Sequence, residues 1–122
     1  MAKVLIVDDD PQFRAMIAQA LNRHGFEVLE AADGNEAINL YRDNSPDVAI
    51  IDILMPEKDG LEAIQEIRLS SPDARIVAIS GGGKTVQIDY LPVARVMGAQ
   101  QILRKPIDPL ELIQVIQGLL ED

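Results

Sequence analysis

Six residues of this chain have the types and spacing to do chemistry together: Asp8, Asp9 and Asp10 in the stretch VLIVDDDPQF, then Asp52, Ser80 and Lys105. Adjacent carboxylates raise one another's pKa and destabilise a fold unless a positive charge sits among them. The chain has no cysteine and a single histidine, His24, so a metal held here would rest on oxygen ligands, which selects a hard cation. Mg²⁺ is the natural candidate. It takes one or two carboxylates plus a phosphate, and Asp8, Asp9 and Asp52 could arrange that shell between them. Such an ion would hold a phosphoryl donor against a carboxylate nucleophile, and Asp52, closing the most central apolar strand, DVAIID, is the best nucleophile. Lys105 would supply a second positive charge to the phosphoryl oxygens and Ser80 a hydroxyl.

These residues share a rim only if the surrounding elements place them there. Short β-branched runs alternate with helical patterns: KVLIV, Pro11 to His24, EVLEA, Gly34 to Arg42, DVAIID, Leu61 to Leu69, ARIVAI, Leu91 to Met97, QQIL, and Pro109 to Leu120. Five strand-then-helix repeats with continuous apolar strands predict an α/β fold, a parallel sheet covered on both faces and joined by right-handed crossovers. Ligands of open parallel sheets bind outside the carboxyl ends of the strands. Asp8 to Asp10, Asp52, Ser80 and Lys105 all follow strand ends. Asp10 with Pro11, and Asp108 with Pro109, read as helix starts, while Gly25 reads as a left-handed helix end. Taken alone, the acidic triplet would be a turn or a helix start; its coincidence with the other rim residues makes it a site, with Asp10 as the helix cap.

Composition narrows the classes of function. At 122 residues the chain is one domain in size, and its net charge of −9 repels a phosphate backbone, against direct nucleic-acid binding. The only apolar run near the N-terminus is four residues long and ends in acids, which fits neither a signal peptide nor a membrane insertion. A cytoplasmic protein is expected. His24 reads as a helix C-terminal residue, and Phe13 and Tyr41 as core.

LIVDDDP, DILMPEKDG, a strand ending in IS, and LRKP before the last helix together resemble the receiver domain of two-component response regulators, as do EAADGNEA and VMGA. The resemblance runs from Lys3 to Leu120 and implies a single receiver domain over residues 1–122, stand-alone and similar to chemotaxis regulators. The implied fold is a flavodoxin-like (βα)5 sandwich, its five-stranded parallel sheet in the order 2-1-3-4-5 with helices on both faces. It implies that Asp52 is phosphorylated by a sensor histidine kinase or a histidine phosphotransfer protein, with Mg²⁺ held by Asp8, Asp9, Asp52 and the main-chain carbonyl of Leu54. Ser80 matches the switch hydroxyl and Lys105 the site lysine, with a cis bond to Pro106. The domain would catalyse only its own phosphorylation and dephosphorylation. Its output face, the fourth helix, fifth strand and last helix, would control a downstream protein or form a weak homodimer. Val93, Val96 and surplus apolar residues of the last helix would supply an exposed patch there.

The chain departs from the family pattern at several positions. Ile102 stands where an aromatic switch residue is common, and 24 residues separate Ser80 from Lys105, with the extra length placed at the Gly81, Gly82, Gly83 run, a loop expected to move on phosphorylation. Leu54 and Gly82 are non-polar where polar residues often influence the attacking water, so the phosphoryl lifetime should differ. Pro56 and Gly60 are read as shaping the loop after Asp52, with the next helix starting near Asp59. Two rival classes remain. GGGKT matches the end of a P-loop, but Ala78 replaces its first glycine and Pro92 would fall inside the helix. VDDDP also fits a haloacid-dehalogenase-like phosphatase with Asp8 as nucleophile and Asp10 two residues on, a fold that calls for a longer chain.

Overall fold

A computed structural model of the chain describes residues 2–53, 60–80, 95 and 98–121. The elements are β1 (Lys3–Val7), α1 (Pro11–Arg23), β2 (Glu27–Ala31), α2 (Gly34–Asn44), β3 (Val48–Asp52), α3 (Gly60–Ser70), β4 (Ile76–Ser80), β5 (Gln101–Arg104) and the C-terminal helix α4 (Pro109–Leu120). The strands form one sheet in the order β2-β1-β3-β4-β5, every adjacent pair parallel. The expected alternation therefore holds wherever the chain is described. The boundaries move by up to two residues: β4 starts at Ile76 where the strand was expected from Ala74, and α2 extends to Asn44, whose side-chain amide donates to Leu40 O at 3.0 Å. The helix expected over Leu91 to Met97 lies outside the described residues.

The strands are continuously apolar because both faces of the sheet are covered. Leu5, Val7, Ala49, Ile51, Ile76 and Ala78 point into a core closed by Ala37 and Tyr41 of α2 and Ile64 and Ile67 of α3. Their neighbours Val4, Ile6, Val48, Ile50, Val77 and Ile79 point the other way, toward Ile17 and Leu21 of α1 and Leu112, Ile113 and Ile116 of α4. This alternation follows from the two-residue period of a strand. β3 and β4, inside the sheet, are buried at all five positions, whereas β2 and β5 at the edges are not. Tyr41 is core as expected, and burial raises its hydroxyl pKa.

Local chemistry sets the helix ends. The Asp10 side chain accepts hydrogen bonds from Gln12 N at 3.0 Å and Phe13 N at 3.3 Å, with Pro11 opening the helix. Asp108 does the same for α4 through Leu110 N at 3.0 Å. Gly25, at φ +88°, takes the left-handed conformation after α1, and His24 caps that helix. Gly60 has a different reason to be glycine. A Cβ there would run into the Asp52 main-chain oxygen and lie 2.5 Å from Ile53 Cα, so α3 can start beside the end of β3 only without a side chain. On α4 the expected apolar surplus is narrow: Leu112, Ile113, Ile116 and Leu119 are buried, Val115 and Leu120 pack against the core, and Leu110 is exposed.

Candidate functional site

The site begins at the ends of two adjacent inner strands, β1 and β3. Asp8 follows β1 and is fully buried; Asp52 ends the neighbouring β3 and is 4 % exposed; Asp9 is exposed. One carboxylate oxygen from each of the three lies within 4.8 Å of the others, a spacing one cation can bridge. The sheet order produces this arrangement, because β1 and β3 are adjacent and run parallel, which carries both chain ends to one edge. Ser80, 8 % exposed, ends β4 next door, and its main-chain oxygen accepts from Lys105 N at 2.8 Å. That bond brings Lys105, just past β5, to the same edge. The Lys105–Pro106 peptide bond is cis.

Lys105 reaches back across the rim. Its Nζ lies 2.7 Å from Asp8 Oδ2 and 3.5 Å from Asp52 Oδ2. Burial alone would lower the pKa of this ammonium, but the contact with Asp8 and the charges of Asp52 and Asp8 outweigh it, and the net shift is upward. The lysine is therefore held charged. Asp8 Oδ1 accepts from Asp10 N at 2.9 Å, whereas Oδ2 receives no hydrogen bond of good geometry from the described residues. Its partner is the Lys105 ammonium, in the salt bridge described above. A fully buried carboxylate oxygen with no directed donor, beside two further carboxylates and one ammonium, has the valence and the charge deficit that a hard divalent cation satisfies. The residues fit Mg²⁺.

Two residues of α1 complete the surroundings, and sequence reasoning missed both as parts of the site. The partly buried Phe13 packs against the core, as expected, but its ring centroid is also 4.1 Å from Lys105 Nζ. Arg14 donates from its guanidinium to Asp8 O at 2.7 Å and to Glu30 Oε1 at 3.0 Å, tying the end of β1 to the edge strand β2. Asp10, by contrast, spends its carboxylate on the helix start. That leaves it unsuited to the second acid of a phosphatase reading. Ile102 is half-buried in β5, against the core that faces α2 and α3. Leu54, Gly81, Gly82, Val93, Val96 and the GGGKT stretch lie outside the described residues.

Residues 4–117 match the response regulator receiver domain. The chain belongs to that family. It is 39% identical over 118 residues to the probable transcriptional regulator ycf27 of Guillardia theta, covering 97% of the chain and 45% of that protein. It is 33% identical over 120 residues to protein PilH of Pseudomonas aeruginosa, 98% of each being covered. A chain of the CheX-CheY-BeF3-Mg²⁺ complex from Borrelia burgdorferi superposes on it with a TM-score of 0.86 at 30% identity, over 97% of this chain and 88% of that one. This receiver domain thus spans nearly all of one relative and about half of another. Its acidic pocket is formed by Asp8, Asp9 and Asp52. Among the described residues, no helix is long and apolar enough to cross a membrane.

Proposed function

We propose that this receiver domain takes a phosphoryl group on Asp52 in a reaction that requires Mg²⁺, and that the phosphorylated form controls a protein partner. The observation that carries the reading is the convergence of three carboxylates and one charged lysine at the carboxyl edge of the sheet. A carboxylate oxygen of Asp52 would attack the phosphorus of the donor, forming a new O–P bond. The bond from phosphorus to the donor's histidine nitrogen or acyl oxygen breaks, and its electrons leave with the donor. Mg²⁺, when bound by Asp8, Asp9 and Asp52, would neutralise the charge gathered between the carboxylates and the phosphoryl oxygens. Lys105, near Asp52, would pair with one of those oxygens, and Ser80, on the adjacent strand, would offer a hydroxyl to another. The resemblance to a chain of a complex containing BeF3 and Mg²⁺ supports the reading, because trifluoroberyllate has the tetrahedral shape of a phosphoryl group.

The donor would be a sensor histidine kinase or a histidine phosphotransfer protein, and Ile102 would take the position of the switch residue. Incubation with Mg²⁺ and a small acyl phosphate, followed by intact mass, tests the central step. The expected result is a phosphoryl-sized gain that disappears without Mg²⁺ and in Asp52→Asn. A gain that survives in Asp52→Asn would move the nucleophile to another carboxylate, and no gain in the folded wild type would remove the reading.

A further inference from the structure

Among the described residues, the Lys105 ammonium lies 2.7 Å from Asp8 Oδ2, 3.5 Å from Asp52 Oδ2 and 4.1 Å from the centroid of the Phe13 ring, which is the one of the three that is not a carboxylate. We propose that Phe13 is a positioning residue for phosphorylation, its ring face holding the Lys105 ammonium over Asp52 when the acidic pair turns to the cation. The inference rests on the functional reading above. In that reading Asp8 and Asp52 both change partners as the site loads, so neither can keep the lysine in place by itself. An aromatic face attracts a cation through its quadrupole and does not compete for Mg²⁺ or phosphoryl oxygen. It is the contact that survives loading.

The backbone supports this role. Phe13 N donates to the Asp10 carboxylate at 3.3 Å, and Asp10 N donates to Asp8 Oδ1 at 2.9 Å, so the ring is in fixed register with the acidic residues three to five positions before it. The same ring packs on the core formed with Ile17 and Leu21, which fixes it from behind. Lys105 is fixed at its own end by the bond from its N to Ser80 O. Between two anchored ends the flexible four-carbon stem would otherwise sample several rotamers. The ring selects one.

The test compares Phe13→Leu, which keeps apolar volume and removes the quadrupole, with Phe13→Tyr, which keeps the ring. With Mg²⁺ and a small acyl phosphate, Phe13→Leu should phosphorylate roughly tenfold more slowly and Phe13→Tyr within about twofold of wild type, in line with a partly desolvated cation–π contact. In a Lys105→Met background, Phe13→Leu should slow the reaction no further; an equal slowing there would assign Phe13 a merely structural role and overturn the proposal. A readout independent of turnover is the ring-current shift of the Lys105 ε-methylene protons in the wild type. It should be present without cation and retained with Mg²⁺ and trifluoroberyllate; its loss on loading would overturn the proposal. A phosphorylated wild type with an unaffected Phe13→Leu removes this inference alone, whereas an unphosphorylated wild type removes the functional reading beneath it.

Discussion

Lys105 sets the charge balance of the rim, and its titration makes that role measurable. Because its pKa is raised in the fold, its contribution is fully present below the ordinary value of 10.5 and is lost as pH rises through the higher folded value. The difference in urea midpoint between wild type and Lys105→Met should therefore hold steady from neutral pH to about 10.5 and shift against the wild type above it. Tyr41, also raised, contributes a loss in the same alkaline range to both proteins, so the comparison cancels it. Asp8 gives a second measurement: Mg²⁺ at about a hundredfold excess over its Kd should add ~2.7 kcal/mol of stability by linkage. Asp8→Asn should lose most of that gain, and an equal gain in the variant would place the cation elsewhere. Asp8, Asp9, Asp52 and Lys105 were legible in the sequence because charges at the ends of buried apolar strands are conspicuous. Phe13 and Arg14 were not, because an aromatic and an arginine in the first turns of a helix look like ordinary packing and solvated charge until the distant partners Lys105 and Asp8 are in place.

Among the elements, the two helix starts nearest the site do different work. Asp10 opens α1 by accepting from Gln12 N and Phe13 N, so Asp10→Ala should lower stability by about 1 kcal/mol while leaving Mg²⁺ affinity nearly unchanged. A large loss of Mg²⁺ binding instead would make Asp10 a ligand. Gly60 opens α3 against the backbone of Asp52 and Ile53, with its N donating to Ile53 O at 3.3 Å. Gly60→Ala should destabilise the domain by about 1–3 kcal/mol in urea unfolding and slow Asp52 phosphorylation as well, because the methyl group can fit only by displacing the strand end. The helix starts at Asp10 and Asp108 and the end at Gly25 were legible from local chemistry alone. The close approach that Gly60 permits was not, since it depends on where β3 stops in space, and DILMPEKDG says only that a turn lies there.

For the molecule as a whole, continuous apolar strands dictated a sheet covered on both faces, and the described order β2-β1-β3-β4-β5 is the one the family resemblance implied. What the pattern did not disclose is how β5 is registered beside β4. The Gln100 side chain accepts from Ile76 N at 2.7 Å and donates to Ala74 O at 2.9 Å, extending the pairing by one rung, while Arg68 of α3 donates to Gln100 Oε1 at 3.1 Å and Gly98 O at 2.7 Å. Nothing in the expected strand QQIL marks its first glutamine as a bridge to the neighbouring strand. Gln100→Ala should cost about 1–3 kcal/mol, because the Ile76 N–H loses its acceptor, and thermal unfolding would report it. The same topology carries a consequence for when the site comes into being. Asp8, Asp52 and Lys105 are far apart in sequence and stand at the ends of three strands, with β4 between the second and the third. The lysine arrives only after the loops that join them have closed and β5 has docked at the edge, so a partly folded or partly synthesised chain presents its aspartates without their ammonium. The ammonium that offsets the carboxylates of the rim is therefore a product of the finished fold and of no single segment of the chain.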